Sequence, residues 1–256
     1  MPPRVPSPSD PARIVMKKTS VWRCWILVLA VVAAQAAQDA AGPAEDYQNI
    51  IDRIREIGLA GERGFDFLEK ITSVGPRLTG SPQAAAAVEL ARGICAAALE
   101  AVGLLHNLGL RPRQTIRAVL FMDEEFGGTG GRGYAVSPQR RGEKHLIAAE
   151  SDGGGFVPIG LAVGGREGRG LDRVSPYLGL LKPFGVSFFS PGGGGVDVAP
   201  LIKQGAVPAI VRVNAQAYFD VHHSALDVVS SVQPRELELQ AIILAVIAYI
   251  MAQEGI

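Results

Sequence analysis

Residues 115–122, TIRAVLFM, make a nearly unbroken apolar run that ends directly in Asp123-Glu124-Glu125. A short apolar run bounded by polar turns predicts a strand buried on both faces, as at the parallel centre of an α/β sheet. Acidic side chains just past such a strand stand where these sheets place their chemistry, at the carboxyl ends of strands. Two further runs repeat the arrangement. Residues 145–150 end in Glu150-Ser151-Asp152, and residues 207–213 lead through a short polar loop to His222-His223. Residues 184–189 add a weaker strand candidate.

The intervening segments read as helices. Apolar residues recur at helical spacing over 44–57, and 66–74 predicts a second, shorter helix. The stretch 75–82 is a loop, broken by Gly and Pro. An Ala-rich stretch over 84–108 has strong helix propensity, is interrupted at Gly93 and stops at Gly109. Residues 131–136 belong to another helix, and 237–251 form an apolar closing helix. Strands alternating with helices predict an α/β fold: a mixed, largely parallel sheet flanked by helices. With 25 basic and 25 acidic side chains the formal net charge is zero. No whole-molecule field draws in nucleic acid or anionic lipid.

The amino terminus predicts export. Met16-Lys17-Lys18 supplies a positive start, 25–34 an apolar run, and Ala34-Gln35-Ala36 a small-x-small cleavage site. The apolar run falls short of the roughly 20 residues of a membrane span. A signal peptide over 16–36 follows, with 1–15 an upstream extension, a mature chain starting near Ala37 and a secreted or periplasmic location. An uncleaved anchor is the alternative. Cys24 leaves with the signal peptide, so Cys95 has no partner for an intrachain disulfide and reads as a small core residue.

Zinc accepts Glu, Asp and His together and leaves a position open for water or substrate. Of two adjacent Glu residues, one can bind the metal while the other takes a proton. On spacing alone, Asp123-Glu124-Glu125 reads equally as a solvated acidic loop, and His222-His223 as a surface pair. The Gly-rich segment 191–195 lacks a following Gly-Lys-Ser/Thr, so it is no phosphate loop. It reads as a loop that permits close backbone approach.

Four blocks carry a family resemblance: LFMDEEFGGTGGRGYA (120–135), AAESDGGGFVPIG (148–160), GGGGVDVAPLIKQGAVPAI (192–210) and YFDVHHSALD (218–227). Together they resemble the co-catalytic zinc exopeptidases of metallopeptidase family 28, in particular carboxypeptidase Q-like members. The resemblance implies a zinc exopeptidase-like catalytic domain over 61–256, preceded by a helical segment at 37–60. It implies Glu124 as general base, and Glu125, Asp152 and His223 as metal ligands. Asp197, with Gly194 and Gly195, is implied to lie at the substrate cleft. Two zinc ions per chain are implied, and small peptides as substrates.

The pattern breaks upstream. The family carries a His-x-Asp ligand motif and a bridging Asp before its Glu-Glu pair. Between Gly80 and Thr115 this chain has no Asp, and its one His there is His106, in a helical stretch. The resemblance places a gap near Arg92-Gly93, which leaves the sheet incomplete and two of five metal ligands missing. Two readings follow: a zinc exopeptidase weakened by that loss, or a non-catalytic remnant that binds a peptide or partner protein.

Overall fold

The computed structural model describes residues 44–77, 80–93, 97–165 and 169–255. The signal-peptide segment, residues 1–15, Cys24 and Cys95 lie outside them. Four helices come first: α1 (Ala44–Leu59), α2 (Arg63–Thr72), α3 (Pro82–Gly93) and α4 (Ala97–Asn107). After α5 (Thr129–Ala135) come β1 (Ile147–Glu150), β2 (Pro158–Val163), α6 (Arg169–Val174), α7 (Leu178–Leu181) and β3 (Phe188–Pro191). The chain continues through α8 (Ala199–Lys203), β4 (Val207–Val213), α9 (Tyr218–Val221) and α10 (Pro234–Glu254).

The sheet runs β1-β4-β2-β3. β1 pairs parallel with β4 and β2 parallel with β3, while β2 and β4 are antiparallel. This is the mixed, largely parallel, open sheet that the alternation of elements predicts. β1 and β4 run side by side in one direction, so their carboxyl ends deliver Glu150 and Val213 to the same end of the sheet.

Two strand assignments need correction. Residues 115–122 are not a strand. Their start is pinned by the Gln114 N–H to the Ala252 carbonyl and their end by the Gly130 N–H to the Met122 carbonyl, with no ladder between. A strand needs a neighbour, and among the described residues none lies alongside. Ile116 packs on the main core and Phe121 on a smaller cluster around Ala148 and Leu201. Leu120 and Met122 remain 44% and 49% exposed. Conversely, 158–163 is a strand that sequence reading passed over, and it is the most deeply buried of the four.

α10 organises the core. It packs on α1, α2 and α4 and touches β2 and β4. Ile242, Ile243, Val246 and Ile250 are buried against Ile51, Ile54, Leu104, Leu161 and Val211. Each fully buried side chain of this size contributes about 1.5–3 kcal/mol. The helix is long and apolar enough to cross a membrane, with mean hydropathy 1.5, yet 61% of that window is buried within the fold. That burial is what an all-round apolar helix at the centre of a fold requires.

One buried charge ties α10 to the amino-terminal helices. Glu62, at the start of α2, makes no side-chain cap. Glu238 of α10 takes that part instead, its Oε1 accepting the Gly64 N–H at 2.9 Å. Next to it, Arg63 pairs with Glu100. Burial pushes the Glu238 and Glu100 carboxyls above their ordinary range, and the bonds they accept pull the other way.

Candidate metal centre

The acidic loop after residue 122 is a tight reversal into α5. Asp123 adopts a left-handed backbone, φ 70°, held by the Thr129 hydroxyl on its carboxylate and by the Gly128 N–H on its carbonyl. The other non-glycine residue with positive φ among the described residues is His223, at 54°. Both sit in this one region. Such conformations cost of order 1–3 kcal/mol and concentrate at functional sites.

His223 follows directly on α9, whose end is set by ring stacking. The Tyr218 ring lies on His222 at 4.4 Å, nearly parallel, and the His222 ring is 3.9 Å from that of His223. From there the His223 Nε2 reaches Glu125 Oε1 at 3.0 Å. Two loops 98 residues apart thus present an imidazole and a carboxylate to each other at the surface.

Asp152, just past β1, completes the rim. Partial desolvation and then the Glu125 carboxylate hold its carboxyl above the usual range, and His222 offsets them. Glu124 is raised in the same way, by desolvation, Asp152 and Glu125, with His223 opposing. Beneath them lie two carboxylates that are buried outright, Glu150 and Asp197. Glu150 Oε2 accepts the Val198 N–H at 3.1 Å. Asp197 Oδ1 is buried with no hydrogen-bond partner, and burial, then Glu150, pushes the Asp197 carboxyl up to about 6. The charges acting on Glu150, Asp152, Asp197 and Glu124 are one another, Glu125 and the two imidazoles, with no Lys or Arg among them.

The Gly-rich segment is the floor's outer wall. Gly193 has φ 115°, and a side chain there would meet the Ala209 backbone at 2.8 Å. At Gly195 an added Cβ would stand 2.0 Å from Glu150 Oε1. Gly194 packs over Ile202 and Pro208. Glycine is required because the backbone lies directly on strand and carboxylate.

Of the residues singled out from sequence, Glu125 and His223 touch, and Glu124 and Asp152 stand within electrostatic reach of that pair. Asp197, Gly194 and Gly195 line the layer below. Sequence reading placed Glu150 and His222 in the acidic and imidazole clusters but gave neither a role of its own. The signals for them were weak: Glu150 was the last residue of an apolar strand, and His222 was one of two adjacent histidines. His106 is exposed and remote in role, as its helical setting predicts.

The donors suit zinc in kind, an imidazole nitrogen and carboxylate oxygens. Donors about 2.0–2.1 Å from a tetrahedral zinc stand roughly 3.3 Å apart, close to the 3.0 Å separation of His223 and Glu125. They fall short in number. Among the described residues no group of three His, Cys, Asp or Glu side chains is placed to hold a metal ion. The pair fits one side of one ion, and the Asp152 carboxylate stands within electrostatic reach of Glu125.

No family model matches the chain. It is similar to carboxypeptidase Q of mouse, at 34% identity over 153 residues, and of human, at 32%. In both cases the match covers 60% of this chain and 32% of the relative. Carboxypeptidase Q of Xenopus laevis is 30% identical over 154 residues. Among solved structures, a peptidase M28 precursor from Shewanella amazonensis superposes with TM-score 0.57 at 30% identity, over 62% of this chain and 36% of that one. The chain therefore spans about a third of the length of the curated relatives it matches. Over this shared portion it is similar in sequence to carboxypeptidase Q and in fold to a family M28 peptidase.

Proposed function

We propose that this chain is a zinc-dependent exopeptidase for small peptides, held to a low rate by an incomplete set of metal ligands. The observation that carries the reading is the 3.0 Å contact between His223 Nε2 and Glu125 Oε1 across 98 residues of chain. Glu125 and His223 would hold the ion from one side, and Asp152, which the family resemblance also gives as a ligand, would be the third donor. When bound, zinc supplies Lewis acidity toward a peptide carbonyl and acidity to a water. Glu124 takes a proton from the attacking water at its carboxylate and returns it to the leaving amine. Desolvation, Asp152 and Glu125 raise its pKa, the direction that strengthens it as a base. The absence of the family's first His and bridging Asp limits both the affinity and the second ion.

Equilibrium dialysis tests the ligand set. Glu125→Ala and His223→Ala should each weaken zinc uptake by about 10–100-fold, at least the loss that follows when a mere supporting partner of a ligand is removed. Unchanged uptake in both variants defeats the assignment. The second reading, a peptide- or partner-binding remnant without turnover, draws on the absence of a three-donor group among the described residues. Metal-free protein that hydrolyses nothing, with or without added zinc, selects it.

We also infer export, from the positive, apolar and small-residue segments at 16–36. Mass spectrometry of exported protein should find a start near Ala37, and retention of residues 1–36 contradicts this.

A further inference from the structure

Near the metal-ligand candidates lies an open surface depression of about 360 Å³, with Asn214, Gln216 and Asp220 exposed in its lining, whose chemistry differs. Phe156 and Val157 form its apolar side, Asn214 and Gln216 its amide side, and Asp220 and Glu236 contribute two carboxylates. Neither carboxylate has a side-chain partner among the described residues, and no Lys or Arg lines the depression. Glu236 lies in the first turn of α10. Asn214 is partly committed, its side-chain oxygen accepting the Gln216 N–H, which leaves its amide N–H₂ as a donor.

The depression is joined to the candidate centre by a row of rings. Phe156 meets Tyr218 edge-on at 6.4 Å, Tyr218 stacks on His222, and His222 touches His223. These three ring steps, of 6.4, 4.4 and 3.9 Å, are a path that a few residues of extended peptide cover at about 3.3–3.6 Å each. Two unpaired carboxylates beside an aromatic face suit a planar or compact organic cation, which gains charge-assisted hydrogen bonds on one side and a ring contact on the other.

We propose that the Phe156–Asp220–Glu236 depression is a subsite for a peptide cation, either a basic side chain or a free amino terminus. The assignment deepens the exopeptidase reading and rests on it for the ligand's being a peptide. Isothermal titration calorimetry on the full chain in EDTA tests it with three probes. These are alanyl-arginine, alanyl-citrulline, which is its uncharged counterpart, and N-acetyl-alanyl-arginine. A basic side chain in the depression predicts that citrulline costs about tenfold or more in affinity, the worth of a hydrogen bond to a charged group. An amino terminus there predicts that loss from acetylation instead. In the Asp220→Asn/Glu236→Gln double variant the preference should fall to within about twofold, and each single variant should reduce it by an intermediate factor. The proposal is overturned if all three probes bind alike, if none binds at millimolar concentration, or if the preference survives in folded double variant. Should that variant not fold, the single variants decide on the same criterion. Because the titrations exclude metal, they are independent of the zinc measurements. Failure of the ligand set leaves the cation preference intact, and failure of the subsite leaves zinc uptake intact.

Discussion

Glu124→Gln should lower zinc-supported dipeptide hydrolysis by about 10²–10⁴-fold, the usual contribution of a positioned general base, while zinc uptake stays within about twofold. The amide has nearly the shape of the carboxylate but accepts no proton at neutral pH, so the loss isolates proton transfer from metal binding. Charge argues in the same direction. Glu124 stands among Asp152 and Glu125, whose carboxylates raise its pKa, so removing one negative charge here does not starve the ion of ligands. Steady-state rates with and without added zinc, alongside dialysis on the same preparation, give both numbers. Equal turnover in the variant and the parent chain removes Glu124 from its role, and turnover absent from both, with zinc bound, removes the hydrolytic reading.

What the sequence makes legible follows from which signals are local. α10 announces itself because twelve apolar residues in a row, 241–252, leave few other structures open, and β4 because VPAIVRV lies between Gly205-Ala206 and Asn214. β2 hides because PIGLAV begins with Pro and carries a Gly. That Gly160 is where the Phe188 ring of β3 closes on the backbone, with an added Cβ only 2.6 Å from it. A contact between strands 28 positions apart has no local signature. Residues 115–122 err in the opposite direction. TIRAVLFM has every local mark of a central strand, but a ladder depends on a second chain segment, and among the described residues none lies beside it. The site divides in the same manner. The acidic and imidazole clusters are visible in the sequence, but position alone leaves them a solvated loop and a surface pair, and the family resemblance is what pairs Glu125 with His223. The role of the buried carboxylate Glu150 is not visible there, because it depends on the Val198 N–H and on Gly195, both more than 40 residues away.

The metal-free protein should be more stable near pH 5 than near pH 7.5, and Asp197→Asn should remove most of the difference. Asp197 has its carboxyl pushed up to about 6 from an ordinary 3.8, by burial first and then by Glu150, Glu124 and Asp152. Between those two values the unfolded chain has released the proton and the folded chain keeps it. The folded state therefore binds more protons, and stability falls as pH rises through that window. A shift of about two units corresponds to on the order of 3 kcal/mol at full ionisation, of which about half, on the order of 1.5 kcal/mol, falls between pH 5 and 7.5. For a fold of this size that is roughly 3–6 °C in melting temperature. Glu150, Glu124 and Asp152 are shifted in the same direction and reinforce the trend. The orphaned Oδ1 sharpens the expectation for the variant: above pH 6 the parent chain buries a carboxylate with an unpartnered oxygen, whereas the amide brings no charge to be desolvated. Thermal melts of both proteins in EDTA at pH 5.0, 6.0 and 7.5 measure it. A parent curve that is flat or rises with pH, or a slope unchanged by Asp197→Asn, places the strain elsewhere. Zinc added at pH 7.5 should raise the parent's melting temperature, because a divalent cation supplies the positive charge that these carboxylates otherwise lack and binds only the folded arrangement.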